Sequence, residues 1–260
     1  MRIALALEYD GRRFCGWQSQ PSGCGVQDAV ERAVAGIAGE PIGITAAGRT
    51  DTGVHASYQV AHFDTLAQRP ITAWVRGVNT HLPEGVAVSW AREVPEDFHA
   101  RFSVEERGYR YVLLNHATRP GLMSGKVGWH HRPLDENIMQ TAAQELLGKH
   151  DFSAFRAAEC QARSPEKEMR LARISRKGDY LVFDFRADGF LHHMVRNIVG
   201  CLVHIGVGNA EPEWIAELLE HKDRTLAAPT FMPDGLYLSH IRYPLRFDLP
   251  DSGRDTWPCA

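Results

Sequence analysis

Hydrophobic and other side chains alternate along residues 2–8, with Ile3, Leu5 and Leu7 on one face, which predicts a β-strand. Val26, Ala29, Val30, Ala33, Val34 and Ile37 recur at three- and four-residue spacing, which predicts a helix with one buried face. Strands are predicted at about residues 42–47 and again through Gln59, Val60, Ala61, His62 and Phe63. A short helix is predicted over 72–78 and a strand over 86–94. The run RGYRYVLL sets Tyr109, Tyr111 and Leu113 on one face of a further strand. Asp135 reads as the cap of a long helix over 135–147. A strand at 181–185, helices over 189–205 and 213–219, and a strand at 236–241 complete the pattern. After Pro244 the chain carries Pro250, Gly253 and Pro258 and reads as a loosely ordered tail.

Groups of strands with single helices between them predict an α+β fold with largely antiparallel sheets. The expected arrangement is two similar subdomains, residues 1–100 and 101–245, joined around a central cleft with helices on the outer faces. Residues 246–260 form the tail. No repeat is visible at residue level, and no low-complexity linker separates the halves.

Composition adds limits. A chain of 260 residues, 44% hydrophobic and 23% charged, can bury a substantial core and has the make-up of a soluble protein. No apolar run is long enough to cross a bilayer, and MRIALALEYD meets an acid too early for a secretory signal, so the cytoplasm is the expected location. The five cysteines include no C-x-x-C pair, and reduced thiols are the expectation. The net charge of −3 argues weakly against nucleic acid, yet the cations are 24 arginines against five lysines. Arginine is the better fork for phosphate, though a GC-rich genome produces the same bias. Arginines gather between Arg101 and Arg119 and between Arg156 and Arg176, where they could form basic stripes.

Several chemistries lack their motifs. There is no phosphate loop, no convincing dinucleotide fingerprint and no G-x-S-x-G elbow. His130–His131 and His192–His193 are adjacent pairs, whose side chains should diverge on a strand or helix and chelate a metal poorly. No metal or cofactor is expected.

The stretch AAGRTDTGVHA stands out, with Arg49 and Asp51 between Gly48 and Gly53 and with Thr50, Thr52 and His55 nearby. A carboxylate there could be a nucleophile, a general base or a turn residue. The plain turn is the commoner case, because Asp and Thr beside Gly bond their own backbone. The loop is more polar than a turn requires, however. FLHHMVRNIVG also places Arg196 off the apolar stripe of Met194, Val195, Ile198, Val199 and Leu202. A partly buried arginine needs an anion, and Asp51 is a candidate.

GRTDTGVHA resembles the catalytic loop of the TruA family of tRNA pseudouridine synthases. YDGRRFCGWQSQP followed by GVQDAVERAV, then GVNTHLP, FHARFS, RGYRYVL, HDFSAF, the C-x-x-x-S-P of Cys160 to Pro165, GFLHHMVRNIVG and APTFMPDGLYL follow in the family's order. The resemblance runs from about Ile3 to Pro244. It implies a cofactor-free isomerase that converts uridine to pseudouridine at positions 38, 39 and 40 of the tRNA anticodon arm. It implies a homodimer with the tRNA spanning both subunits.

By the same resemblance Asp51 is the catalytic aspartate and Arg196 its ion-pair partner, keeping the carboxylate charged. Whether Asp51 attacks C6 of the base or C1′ of the sugar stays open. Tyr109 matches the family's tyrosine, which stacks on the extruded uracil and could assist proton removal at C5. Tyr109 as plain core is the competing reading. Leu236 matches the apolar wall beneath the base. Arg49 either bonds the loop backbone or, as the matching arginine of the family implies, fills the gap left by the flipped nucleotide or holds its phosphate. Phe14, Trp17 and Gln18 read equally as RNA contacts or as an anchor for the N-terminal loop. The wording of PTFMPDG departs from the family's. A catalytically dead RNA-binding module, a carboxylate-dependent hydrolase and a relative with a shifted RNA target are the rival readings.

Overall fold

The computed structural model describes residues 1–251. The chain divides into two compact units, one built from Met1–Glu105 with the chain from Tyr237 onward, the other from Glu106–Leu236. Each mixes helices with mostly antiparallel strands, in agreement with the α+β expectation. Among the described residues no helix is long and apolar enough to cross a membrane.

In the first unit β1 (Arg2–Tyr9) lies between β3 (His55–Asp64) and β4 (Val86–Val94), antiparallel to both. Ala4 and Ala6 are buried as fully as Ile3, Leu5 and Leu7, so both faces of β1 are covered. The helix α1 (Val26–Ala38) starts where Asp28 accepts the Gly25 N–H at 2.9 Å and stops at Gly39, whose φ of 77° is left-handed. β2 (Thr45–Ala46) is shorter than the sequence predicts, because Ile44 gives its N–H to Glu31 of α1 at 2.9 Å rather than to a strand. The short helix predicted over 72–78 is a wide π turn, Ala73–Gly77, that tightens into α2 (Val78–His81). Trp74 fixes it by packing edge-on against Phe63, with ring centroids 5.2 Å apart.

The strand β10 (Leu236–Arg242) joins β3 in parallel, with Tyr237 opposite His55. The chain beyond it packs back on the same unit. Tyr243 donates to the Ala100 carbonyl at 2.7 Å, and Phe247 meets the fully buried Phe98 edge-on at 5.1 Å. The rest of the expected loose tail, residues 252–260, lies outside the described residues.

In the second unit β5 (Glu106–Asn115), β9 (Tyr180–Ala187), β8 (Glu166–Lys177) and β7 (Gly148–Asp151) form an antiparallel ladder in that order, and β6 (Gly128–His130) adds to β5 in parallel. Asp135 caps α3 (Glu136–Gln144) as its position predicts, accepting N–H bonds from Asn137 and Ile138. α4 (Met194–Gly206) and α5 (Trp214–His221) follow. α4 begins later than the periodicity predicts, because His193 takes a left-handed φ of 61° and ends any helix that would start at 189.

A buried amide organises this unit's interior. Asn197 is 0% exposed. It donates to the Phe155 carbonyl at 2.8 Å and accepts from Thr230 at 2.6 Å and from Arg224 at 3.1 Å. Replacing Asn197 with Leu strands these three partners, and each buried group left unsatisfied costs about 1–3 kcal/mol. Asn197→Leu should lower the urea midpoint of unfolding well below that of the surface control Glu220→Gln.

His62 is a second buried polar group. Its Nδ1 accepts the Ala100 N–H at 3.2 Å, and its ring meets His99 and Phe98 edge-on. Burial, with the positive charges of Arg2 and His99, pushes its pKa down from 6.5 to about 4. The unfolded chain therefore binds this proton first as pH falls. The stability it contributes is complete above about pH 6.5 and is lost as pH drops toward about 4. Urea midpoints measured near pH 7.5 and pH 5 should fall steeply for the native protein. They should fall less for His62→Asn, which keeps an acceptor for Ala100 but does not titrate.

Candidate active site

The Asp51 loop leaves β2 and returns as β3, and it is held at both ends. At entry the buried Gln59 brackets Gly48, accepting its N–H at 3.3 Å and donating to its carbonyl at 2.6 Å. Thr50 comes next and is buried. Its carbonyl accepts the Trp17 N–H at 2.9 Å, and its hydroxyl lies 2.8 Å from the Tyr9 hydroxyl. Asp51 then opens a tight turn, its carbonyl accepting the Val54 N–H at 3.1 Å, with Gly53 at a φ of 80°. Asp51 is half-buried, Arg49 is exposed, and Thr52 is exposed.

The first loop, residues 10–25, is the partner of this turn. A Cβ on Gly11 would sit 2.1 Å from the Val54 carbonyl oxygen, and one on Gly16 (φ +92°) would sit 2.7 Å from the Thr50 oxygen. Only glycine allows the two backbones so close. Trp17 is buried against Tyr9, with ring centroids 5.8 Å apart, while Gln18 is exposed and bonded to Gln27. Trp17 is thus an anchor in this structure. Cys15 and Cys24 are disulfide-bonded, with Cα atoms 5.5 Å apart. This corrects the expectation of reduced thiols. The loop folds back so that the Cys15 N–H donates to the Cys24 carbonyl at 3.0 Å, a closure that a spacing of nine residues did not announce. Cys160 and Cys201 are free, and Cys259 lies outside the described residues.

In the second unit Arg196 stands in the first turn of α4. Its Nε donates to the Phe231 carbonyl at 2.8 Å, and the Phe231 N–H donates to the Arg196 carbonyl at 3.2 Å. A Cβ on Gly200, one turn on, would sit 2.4 Å from the Pro229 oxygen. The segment that departs from the family's wording is therefore fixed against α4 by Arg196, Asn197 and Gly200. It continues through Met232, whose carbonyl accepts from the Tyr111 hydroxyl at 3.0 Å, to Leu236, which is buried. Tyr109 is half-buried on β5, opposite Phe185 and edge-on to Phe190 at 5.1 Å. Its neighbour Tyr111 is fully buried, so of the two tyrosines Tyr111 is the core residue.

The adjacent histidines do not diverge as expected. The rings of His192 and His193 lie 4.0 Å apart at 35°, and those of His130 and His131 5.4 Å apart at 23°. The expectation assumed regular strand or helix backbone. His193 has left-handed backbone, and His131 lies beyond the end of β6.

The family described as tRNA pseudouridine synthase matches residues 5–103 and 142–244. These segments include Arg49, Asp51, Arg196 and Leu236, whereas Tyr109 falls between them. The chain is 70% identical to tRNA pseudouridine synthase A of Thiobacillus denitrificans over 260 residues, all of both chains. It is 60% identical to tRNA pseudouridine synthase A of Dechloromonas aromatica over 255 residues, 98% of this chain and 97% of that one. Against the protein of the same name from Methylobacillus flagellatus the identity is 58% over 254 residues, again 98% and 97% of the two chains. Agreement of this depth across the whole length places the chain in the tRNA pseudouridine synthase family, whose members are isomerases.

Proposed function

We propose that the chain converts uridine to pseudouridine at positions 38, 39 and 40 of the tRNA anticodon arm, with Asp51 as its nucleophile. The observation that carries this reading is the Asp51 turn. A half-buried carboxylate sits on a turn gripped at Gly48, Thr50 and Val54, in a chain of this family. A turn residue needs no such framework, whereas a nucleophile must be held in one place.

The reaction moves one glycosidic bond. The bond from C1′ to N1 breaks, the uracil turns, and a bond from C1′ to C5 forms; the C5 hydrogen leaves as a proton and N1 takes one up from solvent, so substrate and product are isomers. Asp51 bonds covalently to C1′ or to C6 in between and is released at the end, so the nucleophile is regenerated. Arg196 serves as the cation that keeps the carboxylate ionised. Tyr109 stacks on the extruded base and assists removal of the C5 proton. Leu236 is the apolar wall under the base, and Arg49 occupies the space that the flipped nucleotide vacates. Extruding a base costs a few kcal/mol, which an inserted arginine offsets in part. The same reading has the protein working in the cytoplasm as a homodimer, with the tRNA spanning both subunits.

Tritium release from a tRNA transcript carrying 5-tritiated uridine tests the chemistry. Native protein with EDTA should release it, and Asp51→Asn should lose about 10⁴-fold or fall to background while tRNA binding persists. Equal release by the two proteins would reduce Asp51 to a turn residue. Recognition through arginines and phosphates also predicts a salt-dependent complex. If six or more phosphates are neutralised, the Kd should rise about a thousandfold between roughly 50 and 200 mM salt in filter binding.

A further inference from the structure

His55 is the fourth residue after Asp51 and the first of β3, and it is 2% exposed. The Gly11 N–H donates to its Nδ1 at 3.1 Å, and the Asp10 carboxylate lies 3.3 Å from the same nitrogen. Its ring stacks on Tyr237 at 4.6 Å and 20°. A ring so covered cannot reach a nucleotide, yet it is built into the frame of the reactive turn. The turn closes through the Val54 N–H on the Asp51 carbonyl, so whatever holds Val54 and His55 also holds the backbone of Asp51. On the other side Thr50 is pinned by Trp17 and Tyr9.

We propose that His55 is a positioning residue for Asp51, locking the downstream end of the reactive turn onto Gly11 beside the Asp10 carboxylate. This rests on the assignment of Asp51 as nucleophile. A single ring nitrogen cannot accept the Gly11 N–H and donate to Asp10 at once. The Gly11 contact needs Nδ1 as an acceptor, while Asp10 gains from a donor beside it. Asp10 is ionised under all ordinary conditions. Burial raises its pKa, but the side-chain and backbone hydrogen bonds from Arg12 and the neighbouring positive charges outweigh that and hold it at about 2.

An asparagine at position 55 meets both demands, because its amide oxygen can take the Gly11 N–H while its amide nitrogen faces Asp10. A glutamine carries the same amide one bond too far, at the reach of Nε2. The experiment is tritium release by native protein, His55→Asn, His55→Gln and His55→Ala, with kcat and KM for tRNA determined separately. A carboxylate displaced by about 1 Å loses about 10²-fold in rate, so kcat of the Ala and Gln variants should drop by that order with KM unchanged. His55→Asn should retain kcat within about threefold of native and the native kcat–pH profile.

The Asn–Gln comparison decides the matter even if the Ala variant fails to fold. Equal activity in Asn and Gln overturns the proposal. So does an inactive Asn variant that has lost one limb of the pH profile, which would make His55 an acid–base group. If the native protein releases no tritium, the proposed function itself fails, and the positioning role goes with it.

Discussion

The antiparallel pairing of β1 with β3 decides where the first unit's candidate site residues lie. Its register sets Ile3 opposite Phe63 and, after a shift between Leu7 and Tyr9, Tyr9 opposite Ala56. That shift delivers Tyr9, Asp10 and Gly11 to the foot of the Asp51 turn. A slip of one residue would turn every side chain of β1 to the opposite face and take Tyr9 away from Thr50. Burial on both faces holds the register, since Ala4 and Ala6 are as enclosed as their larger neighbours. The turn is therefore positioned by a rigid strand pair and by backbone contacts that only glycine permits, not by its own conformational preference.

The second unit holds its arginine differently. Arg196 lies in the first turn of α4, where the helix dipole disfavours a cation, so helix stability does not explain an arginine there. What fixes it is a two-way backbone and side-chain exchange with Phe231, backed by the buried Asn197 beside it. The energy for that arrangement comes from the satisfied amide and from close packing at Gly200.

Much of the fold was legible because its period was clean. β4 and α1 follow their hydrophobic spacing within a residue, and Asp135 signalled its helix. β8 was invisible for a physical reason. Its inward residues Met169, Ala172 and Ile174 change phase across a bulge between Met169 and Leu171, and Arg170, Leu171 and Arg173 fill the positions between. α4 was read too long because apolar Phe190 and Leu191 continue its stripe into a turn that His193 enforces. At the site the residues themselves gave only an ambiguous polar loop, and it was the family resemblance that singled out Asp51. The clamp formed by Tyr9, Gly11, Gly16 and Trp17 could not be read at all, because contacts between two loops leave no period in either.

The parallel seat of β10 on β3 bears on how the protein is made. Tyr237 pairs with His55 across nearly the whole intervening chain, and the second unit is one uninterrupted stretch between them. A ribosome releases that stretch before it releases β10. At roughly 5–20 residues per second, the first unit waits on the order of ten seconds after Glu105 for its last strand. During that wait the second unit is being synthesised, and until β10 follows it β3 lacks one of its neighbours. Biosynthesis thus supplies the whole unit carrying Arg196 before the last strand of the unit carrying Asp51, and the Asp51 turn acquires its full frame only once β10 has emerged.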